Sequence, residues 1–264
     1  MAALSFDRHR AEIVAQSDLL RTHLDGADLT TPVASCPGWN VGQLARHLGG
    51  GQRWAAEVVR TRAERPPSDT HFRDLSPYAD EEPAVVGPWL VEGAAALADA
   101  LGAAGPDVAT WTPLAVPAAG VFWARRFANE TLLHRADAAL ALGVDFAVDP
   151  AMAVDALDEW MELGSLPQML DFYPHRRDLL GPGRTLHLHA TDVPAGLGAE
   201  WLVDLTGDTV AWRRAHEKAA VAVRGPVTEL LLMVYRRRPV DPAVVEVLGD
   251  GKLLDLWLAS VAFG

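Results

Sequence analysis

The feature that most constrains this chain is a change of hydrophobic period about two thirds of the way along it. Up to about residue 165, apolar residues recur at spacings of three and four, as in amphipathic helices, between Pro/Gly-rich breaks. Beyond residue 181, apolar and polar residues alternate, as in half-buried strands. The change predicts a two-domain α+β protein, with residues 1–165 forming a helical domain and residues 166–264 a small α+β domain.

Capping residues predict where the helices begin. Ser5 and Asn40 are candidate N-caps of the first two helices, and Gln43 holds the capping-box position. These helices should run to about residues 25 and 62. Further helices are expected over residues 83–103, 118–142 (with Gly143 as its stop), and from Asp149-Pro150 onward. Four long helices with modest connections favour an antiparallel four-helix bundle.

In the last third, the alternation predicts short strands and two helices. The strands are expected near residues 186–190, 201–205, 219–224 and 244–248, with a hairpin turn at Gly207-Asp208 and helices after Pro226 and Asp250.

Charge and cysteine content restrict the partners and the compartment. A net charge of −12 disfavours nucleic acid and anionic membranes, which need clustered Lys and Arg. Cys36 is the only cysteine, so an intrachain disulfide and a multi-thiolate zinc site are excluded. We expect no secretory signal, no bilayer-spanning run and a cytoplasmic location. The sequence leaves the oligomeric state undetermined.

On two of the predicted helices, side chains that can bind a metal lie among apolar residues on one helical face. Glu130 and His134 lie one turn apart, on a face that also carries Trp123 and Phe127. His47 lies on the apolar stripe of the second helix, next to three consecutive glycines that imply close approach of a backbone or a bulky ligand. Two imidazoles and one carboxylate suit zinc or another divalent metal, with an open fourth position.

The spacing alone leaves other interpretations open. A Glu and a His four apart also form ordinary surface pairs, and a single histidine such as His47 is also typical of a satisfied core residue. His187 and His189 share a strand face but lack a nearby third ligand in the sequence, so we interpret them as surface positions. Cys36 lies in a Pro-Gly turn without an evident base and is interpreted as an inert, buried thiol.

Three segments resemble the mycothiol-dependent maleylpyruvate isomerase family. VASCPGWNVGQLARHLGG is similar to the motif with the first metal histidine, here His47, and RFANETLLHRADAA to the motif whose Glu and His are Glu130 and His134. VRGPVTELLLMVYRRRPVD is similar to a C-terminal motif whose arginine is Arg237. Tyr235 and Arg236 stand where that family usually has Trp and Gly.

The resemblance implies a DinB-like bundle, a C-terminal domain similar to sterol-carrier folds, a zinc site and mycothiol as thiol cosubstrate. The implied activity is attack of the activated thiol on a small-molecule electrophile, as a mycothiol S-transferase or a mycothiol-dependent isomerase. Arg237 is expected to clamp a substrate carboxylate. Asp137 is expected to accept a hydrogen bond from a ligand histidine or a bound water. Arg126 is expected to orient Glu130 or meet an anionic substrate.

Three alternative functions stay open at this point. The first is maleylpyruvate cis-trans isomerisation itself. The second is hydrolysis by a zinc-activated water, which would not need a thiol. The third is a non-catalytic regulator that binds the metal structurally.

Overall fold

The structure is a computed structural model that describes residues 4–261 and contains two compact units. The N-terminal unit spans Leu4–Phe146, and the C-terminal unit begins at Ala147. The first is helical and the second combines a sheet with helices, so the expected α+β fold class is confirmed.

The helices and strands follow in chain order. The α-helices are α1 (Phe6–Leu24), α2 (Val41–Thr61), α3 (Thr70–Arg73), α4 (Pro83–Ala104), α5 (Ala119–Leu142), α6 (Pro150–Gly164), α7 (Met169–Phe172), α8 (Val227–Val234) and α9 (Gly251–Ser260). The strands are β1 (Thr185–Ala190), β2 (Glu200–Asp204), β3 (Ala211–Arg214), β4 (Val221–Gly225) and β5 (Glu246–Gly249). Short 3-10 helices cover Ser76–Tyr78, Pro174–Leu179 and Ala195–Leu197.

The N-terminal unit is a bundle of the four long helices α1, α2, α4 and α5. Its helix ends follow the capping chemistry read from the sequence. Ser5 accepts a hydrogen bond from the backbone of Arg8, and Asn40 and Gln43 form the expected capping box at the start of α2. Gly143 ends α5 with a positive φ of 67°, a conformation that suits glycine. These caps fix the start of α2, which bears His47, and the end of α5, which bears Glu130 and His134.

The C-terminal unit contains, within the described residues, a five-stranded mixed sheet of order β3-β2-β1-β4-β5. The β1 strand pairs antiparallel with β2 and parallel with β4. The residues Leu186 and Leu188 of β1 are buried, as the alternation predicted. His189 lies directly opposite Glu200 in the β1–β2 register.

The expected domain boundary at residue 165 is corrected to residues 146/147. The sequence predicted α6 as a helix but assigned it to the bundle. In the structure α6 packs on α8, and Trp160 contacts the rings of Tyr235 and Trp257. Asp158 also accepts a hydrogen bond from the indole of Trp201. These contacts bury the apolar face of α6 in the C-terminal unit, which a helical period alone does not reveal.

Helix α4 contradicts the expectation that no segment is apolar enough to span a bilayer. By length and composition alone Pro83–Ala104 passes that test, with a mean hydropathy of 1.4 in its most apolar stretch, of which 44% is buried. The many Ala, Val and Leu residues raise its hydropathy, and Glu92 and Asp99 are its charged residues. Because α4 packs on α1 and α2, the helix also has the place of a bundle core helix. The absence of a membrane partner stays a prediction.

Replacing Asn40 with Ala should lower the free energy of unfolding of the N-terminal unit by about 1 kcal/mol. The substitution removes the acceptor for the backbone of Gln43 and the donor to the carbonyl of Ala79. Denaturant titration and the hydrogen exchange of the Gln43 amide measure the effect. The exposed Glu57→Ala in the same helix is the control and should change stability by less than about 0.5 kcal/mol. Equal losses in the two variants would contradict the role of the cap.

Candidate metal centre

The structure brings together the three side chains that the sequence singled out as metal ligands. One potential ligand atom from each of His47, Glu130 and His134 can be chosen so that all lie within 4.8 Å of one another. Nε2 of His134 is 3.2 Å from Oε1 of Glu130, and the rings of His47 and His134 meet edge to face at 5.3 Å between centroids. Residues from two helices thus converge on one point.

Each imidazole is held through its Nδ1 atom. Nδ1 of His47 lies 2.8 Å from the carbonyl oxygen of Phe72, which can only accept, so this nitrogen donates a hydrogen and Nε2 is left for another partner. Nδ1 of His134 lies 3.0 Å from Oδ2 of Asp137. A ligand histidine is commonly oriented by such a hydrogen bond to a carbonyl or carboxylate. The donor set therefore fits a divalent metal.

Asp137 is buried and contacts His134, as expected of a group behind a ligand. Its second oxygen accepts a hydrogen bond of 2.6 Å from the hydroxyl of Ser35. Cys36 lies beside the same pair, with Sγ 3.7 Å from Oδ2 of Asp137. The interpretation of Cys36 as buried and without a nearby base is therefore corrected, because the thiol is partly exposed and contacts a carboxylate that its local sequence does not show.

Burial and hydrogen bonds oppose each other at these groups. Burial disfavours the charged form of His134, but hydrogen bonds to Asp137, Cys36 and Glu130 outweigh it and raise its pKa well above the usual value. Burial likewise raises the pKa of Glu130, but the hydrogen bond from His134 and the charge of Arg126 outweigh it and leave that pKa well below the usual value. Burial and the charge of His134 lower the pKa of His47. The two carboxylates thus create a site that favours positive charge.

The second oxygen of Glu130 is held by Arg126, whose Nη2 lies 2.9 Å away. This is one of the two roles the sequence suggested for Arg126. The guanidinium of Arg126 holds the carboxylate of Glu130, which lies one helical turn further on. Oε1 of Glu130 then faces His134.

Gly49 and Gly50 of the triple glycine in α2 make room for neighbouring side chains, whereas Gly51 lines the cavity beside His47. A Cβ at Gly50 would lie 2.5 Å from Cβ of Phe72, and a Cβ at Gly49 would lie 2.5 Å from the ring of Trp89. A side chain at Gly50 would therefore push away the segment whose carbonyl holds His47. Neither the carbonyl of Phe72 nor this packing is visible from helical spacing.

A cavity of about 300 Å³ opens beside the candidate ligands. Its walls include His47 and Glu130 beside a cluster of aromatic rings, formed by Trp54, Phe72, Trp111, Trp123 and Phe127. The guanidinium groups of Arg73 and Arg126 also line it. Trp54 meets the rings of Trp111 and Trp123 edge to face. The arrangement can hold a flat, partly apolar molecule against the candidate ligands.

Comparison with known proteins identifies the helical unit. Residues 10–139 match the family described as the mycothiol maleylpyruvate isomerase N-terminal domain. Residues 10–139 therefore carry an N-terminal domain of the mycothiol maleylpyruvate isomerase type. The resemblance stated from the sequence motifs is confirmed.

Two crystal structures from this family share the fold over nearly the whole chain. One is the mycothiol-dependent maleylpyruvate isomerase, with a TM-score of 0.61, and the other is a variant of it in which a histidine is replaced by alanine, with a TM-score of 0.60. Each is 15% identical in sequence to this chain, and each alignment covers 94% of this chain and 95% of the other chain. At this identity the likeness shows the fold. No curated protein matches the chain in sequence.

The end of α8 carries the departures from the C-terminal motif that the sequence resembles. Arg236 stands where the family usually has Gly, and it has a positive φ of 58°. The guanidinium of Arg237 donates to the carbonyl of Tyr235 at 2.9 Å. Arg237 belongs to the C-terminal unit, and its role as a clamp for a substrate carboxylate stays a prediction.

Replacing Gly50 with Ala should weaken the hydrogen bond between His47 and the carbonyl of Phe72. The added methyl would meet Phe72 at 2.5 Å, so the segment must shift. We expect the ring-nitrogen NMR signals of His47 to show one tautomer, with Nδ1 protonated, in the wild type and a mixture in the variant. Gly51→Ala is the matched control, because its methyl would meet Phe127 at an ordinary 3.5 Å. An unchanged His47 spectrum in Gly50→Ala would refute this role of the glycine.

Proposed function

We propose that this protein is a zinc-dependent enzyme that activates the thiol of mycothiol for attack on an electrophilic small molecule. The observation that carries the proposal is the convergence of His47, Glu130 and His134, with potential ligand atoms within 4.8 Å of one another, beside an aromatic cavity. The family of the N-terminal domain supports mycothiol as the cosubstrate. A thiol cosubstrate also suits the reducing, cytoplasmic compartment that we propose for this protein.

The three proposed ligands leave one position open for the thiol. His47, Glu130 and His134 would hold the ion, and metal binding would displace the proton that His134 retains without it. The bound ion would supply positive charge that stabilises a thiolate at neutral pH. Phe72 and Asp137 hold the two rings, and Arg126 holds the free oxygen of Glu130. Asp137 thus acts as a positioning residue behind His134.

The aromatic walls are proposed to bind the conjugated part of the electrophile. Trp54, Trp111 and Trp123 form one cluster with ring centroids 5.6 to 6.0 Å apart. The Nε1 atoms of Trp54 and Trp123 donate to the carbonyls of Pro67 and Trp111. These hydrogen bonds fix the rings, which can then cover a flat substrate and exclude water from it.

A substrate carboxylate is proposed to bind at Arg73. The cavity wall carries the guanidinium groups of Arg73 and Arg126 and the carboxylates of Asp69 and Glu130, so its formal charges balance. Arg126 pairs with Glu130, whereas Arg73 is largely exposed and pairs with Asp69. A guanidinium has five donors, so this one ion pair leaves donors on Arg73 for the carboxylate of an unsaturated acid.

The proposed chemistry has two outcomes. In both, the sulfur of mycothiol forms a C–S bond at one end of a conjugated double bond, and the electron pair moves into the conjugated carbonyl. In an isomerase the former double bond rotates, the C–S bond breaks and mycothiol is regenerated. In an S-transferase the carbanion takes up a proton and the adduct is released. Tyr235 and Arg236, which depart from the family motif, lead us to favour a substrate other than maleylpyruvate, with the transferase outcome slightly preferred.

Turnover of unsaturated carboxylates by the zinc-loaded protein should require mycothiol. A transferase consumes one thiol per product, whereas an isomerase consumes none, so thiol titration beside product analysis separates the two. His134→Ala should lower kcat/KM at least about 100-fold, because it removes both a proposed ligand and the partner of Asp137.

The exposed Glu57→Ala is the control for this experiment and should retain activity, since Glu57 lies in the same unit and does not line the cavity. Turnover at the same rate without any thiol would contradict the proposal and favour a zinc-water hydrolase.

A further inference from the structure

A second group of metal-ligand side chains lies on one face of the C-terminal sheet. His187 and His189 are two residues apart in β1 and so point to the same face. Glu200 at the start of β2 lies opposite His189, and His216 follows the end of β3. The sequence left His187 and His189 without a third ligand, whereas the sheet supplies two more donors from distant positions.

The three imidazole rings converge on Oε2 of Glu200. Oε2 of Glu200 lies 2.9 Å from Nε2 of His187, 2.5 Å from Nδ1 of His216 and 3.8 Å from Nδ1 of His189. The centroids of the three imidazole rings are 5.5 to 6.0 Å apart. Three ring nitrogens therefore surround one carboxylate oxygen.

This spacing is close to that of a tetrahedral zinc site. With zinc–nitrogen distances of about 2.0–2.1 Å, neighbouring ligand atoms are about 3.3 Å apart. The observed separations from Oε2 of Glu200 lie on both sides of that value, and single ligand atoms of His187, Glu200 and His216 all lie within 4.8 Å of one another. Small side-chain rotations would therefore place the donors around one ion.

The backbone holds most of these donors in place. The pairing of β1 with β2 fixes the positions of His187, His189 and Glu200 relative to one another. The side chain of His187 is 8% exposed and that of His216 is 76% exposed, so the site has a buried side and an open side. A cavity of about 460 Å³ borders both histidines and gives an ion access from water.

The charge of the site is compatible with a divalent cation. Three neutral imidazoles and one carboxylate carry one negative charge, which a divalent ion converts to one positive charge. Lys218 and Glu217 also border the cavity, and Glu217 pairs with Arg213. Imidazole and carboxylate ligands suit Zn²⁺ among the common divalent metals and do not suit Mg²⁺ or Ca²⁺, which prefer all-oxygen sites.

We propose that His187, Glu200 and His216 form a second zinc-class metal site, with His189 beside it as a neighbouring donor, separate from the candidate centre in the bundle. The ion would join β1, β2 and the segment after β3, which follow one another in the chain. Its role is to hold this face of the sheet together, and it does not depend on the proposed function of the N-terminal unit.

Zinc titration of the chelator-treated full chain, followed by calorimetry, tests the proposal. The wild type should bind one more zinc ion per chain than His216→Ala, or bind that ion at least about 10-fold more tightly. Because the prediction concerns a difference of one ion, it holds whether the bundle binds zinc or not. Failure of the bundle site would change both counts equally and leave the difference intact.

Two further variants sharpen this experiment. His175→Ala removes an exposed histidine of the same unit that lies outside the cluster, and it should bind zinc like the wild type. Glu200→Gln keeps the shape of the side chain but removes its charge, and it should weaken the same ion. Circular dichroism checks that every variant is folded. Equal zinc number and affinity in the wild type and His216→Ala would overturn the proposal.

Discussion

The proposed metal centre depends on how two imidazoles are oriented. A histidine ring with two free nitrogens can turn and exchange tautomers, which makes a weak and variable ligand. Here the carbonyl of Phe72 holds Nδ1 of His47, and Asp137 holds Nδ1 of His134. Both hydrogen bonds act on the same ring atom, so each Nε2 is left for another partner.

The packing of the bundle makes these hydrogen bonds possible. Gly50 lets α3 approach α2 closely enough for the carbonyl of Phe72 to reach His47. Asp137 is buried and also accepts a hydrogen bond from Ser35, which fixes its carboxylate behind His134. The same aromatic residue, Phe72, lines the cavity in which we propose that substrate binds. Packing, orientation of the proposed ligands and the shape of the cavity are therefore coupled.

The sequence predicted the parts of the fold that are set locally. The capping box of Asn40 and Gln43, the stop at Gly143 and the alternation of β1 depend on neighbours within a few residues, so pattern reasoning placed them closely. His47, Glu130 and His134 could be chosen because a polar side chain on an apolar helical stripe needs a partner. The family motifs then agreed with the same residues.

Other features depend on contacts between segments far apart in the chain. The assignment of α6 to the C-terminal unit rests on the rings of Trp160, Tyr235 and Trp257, which no periodicity connects. The contact of Cys36 with Asp137 joins positions about a hundred residues apart. The histidine cluster around Glu200 needs the strand register as well as the return of the chain after β3. None of these contacts could be predicted from the sequence pattern, because each depends on how the chain folds.

A crystal of the zinc-loaded protein, measured at the zinc absorption edge, tests the proposed metal centre most directly. We expect an anomalous peak within bonding distance of Nε2 of His47, Nε2 of His134 and a carboxylate oxygen of Glu130, with Nδ1 of each ring still hydrogen-bonded to Phe72 or Asp137. Zinc bound elsewhere in the helical unit, or these three side chains turned away from a common point, would contradict it.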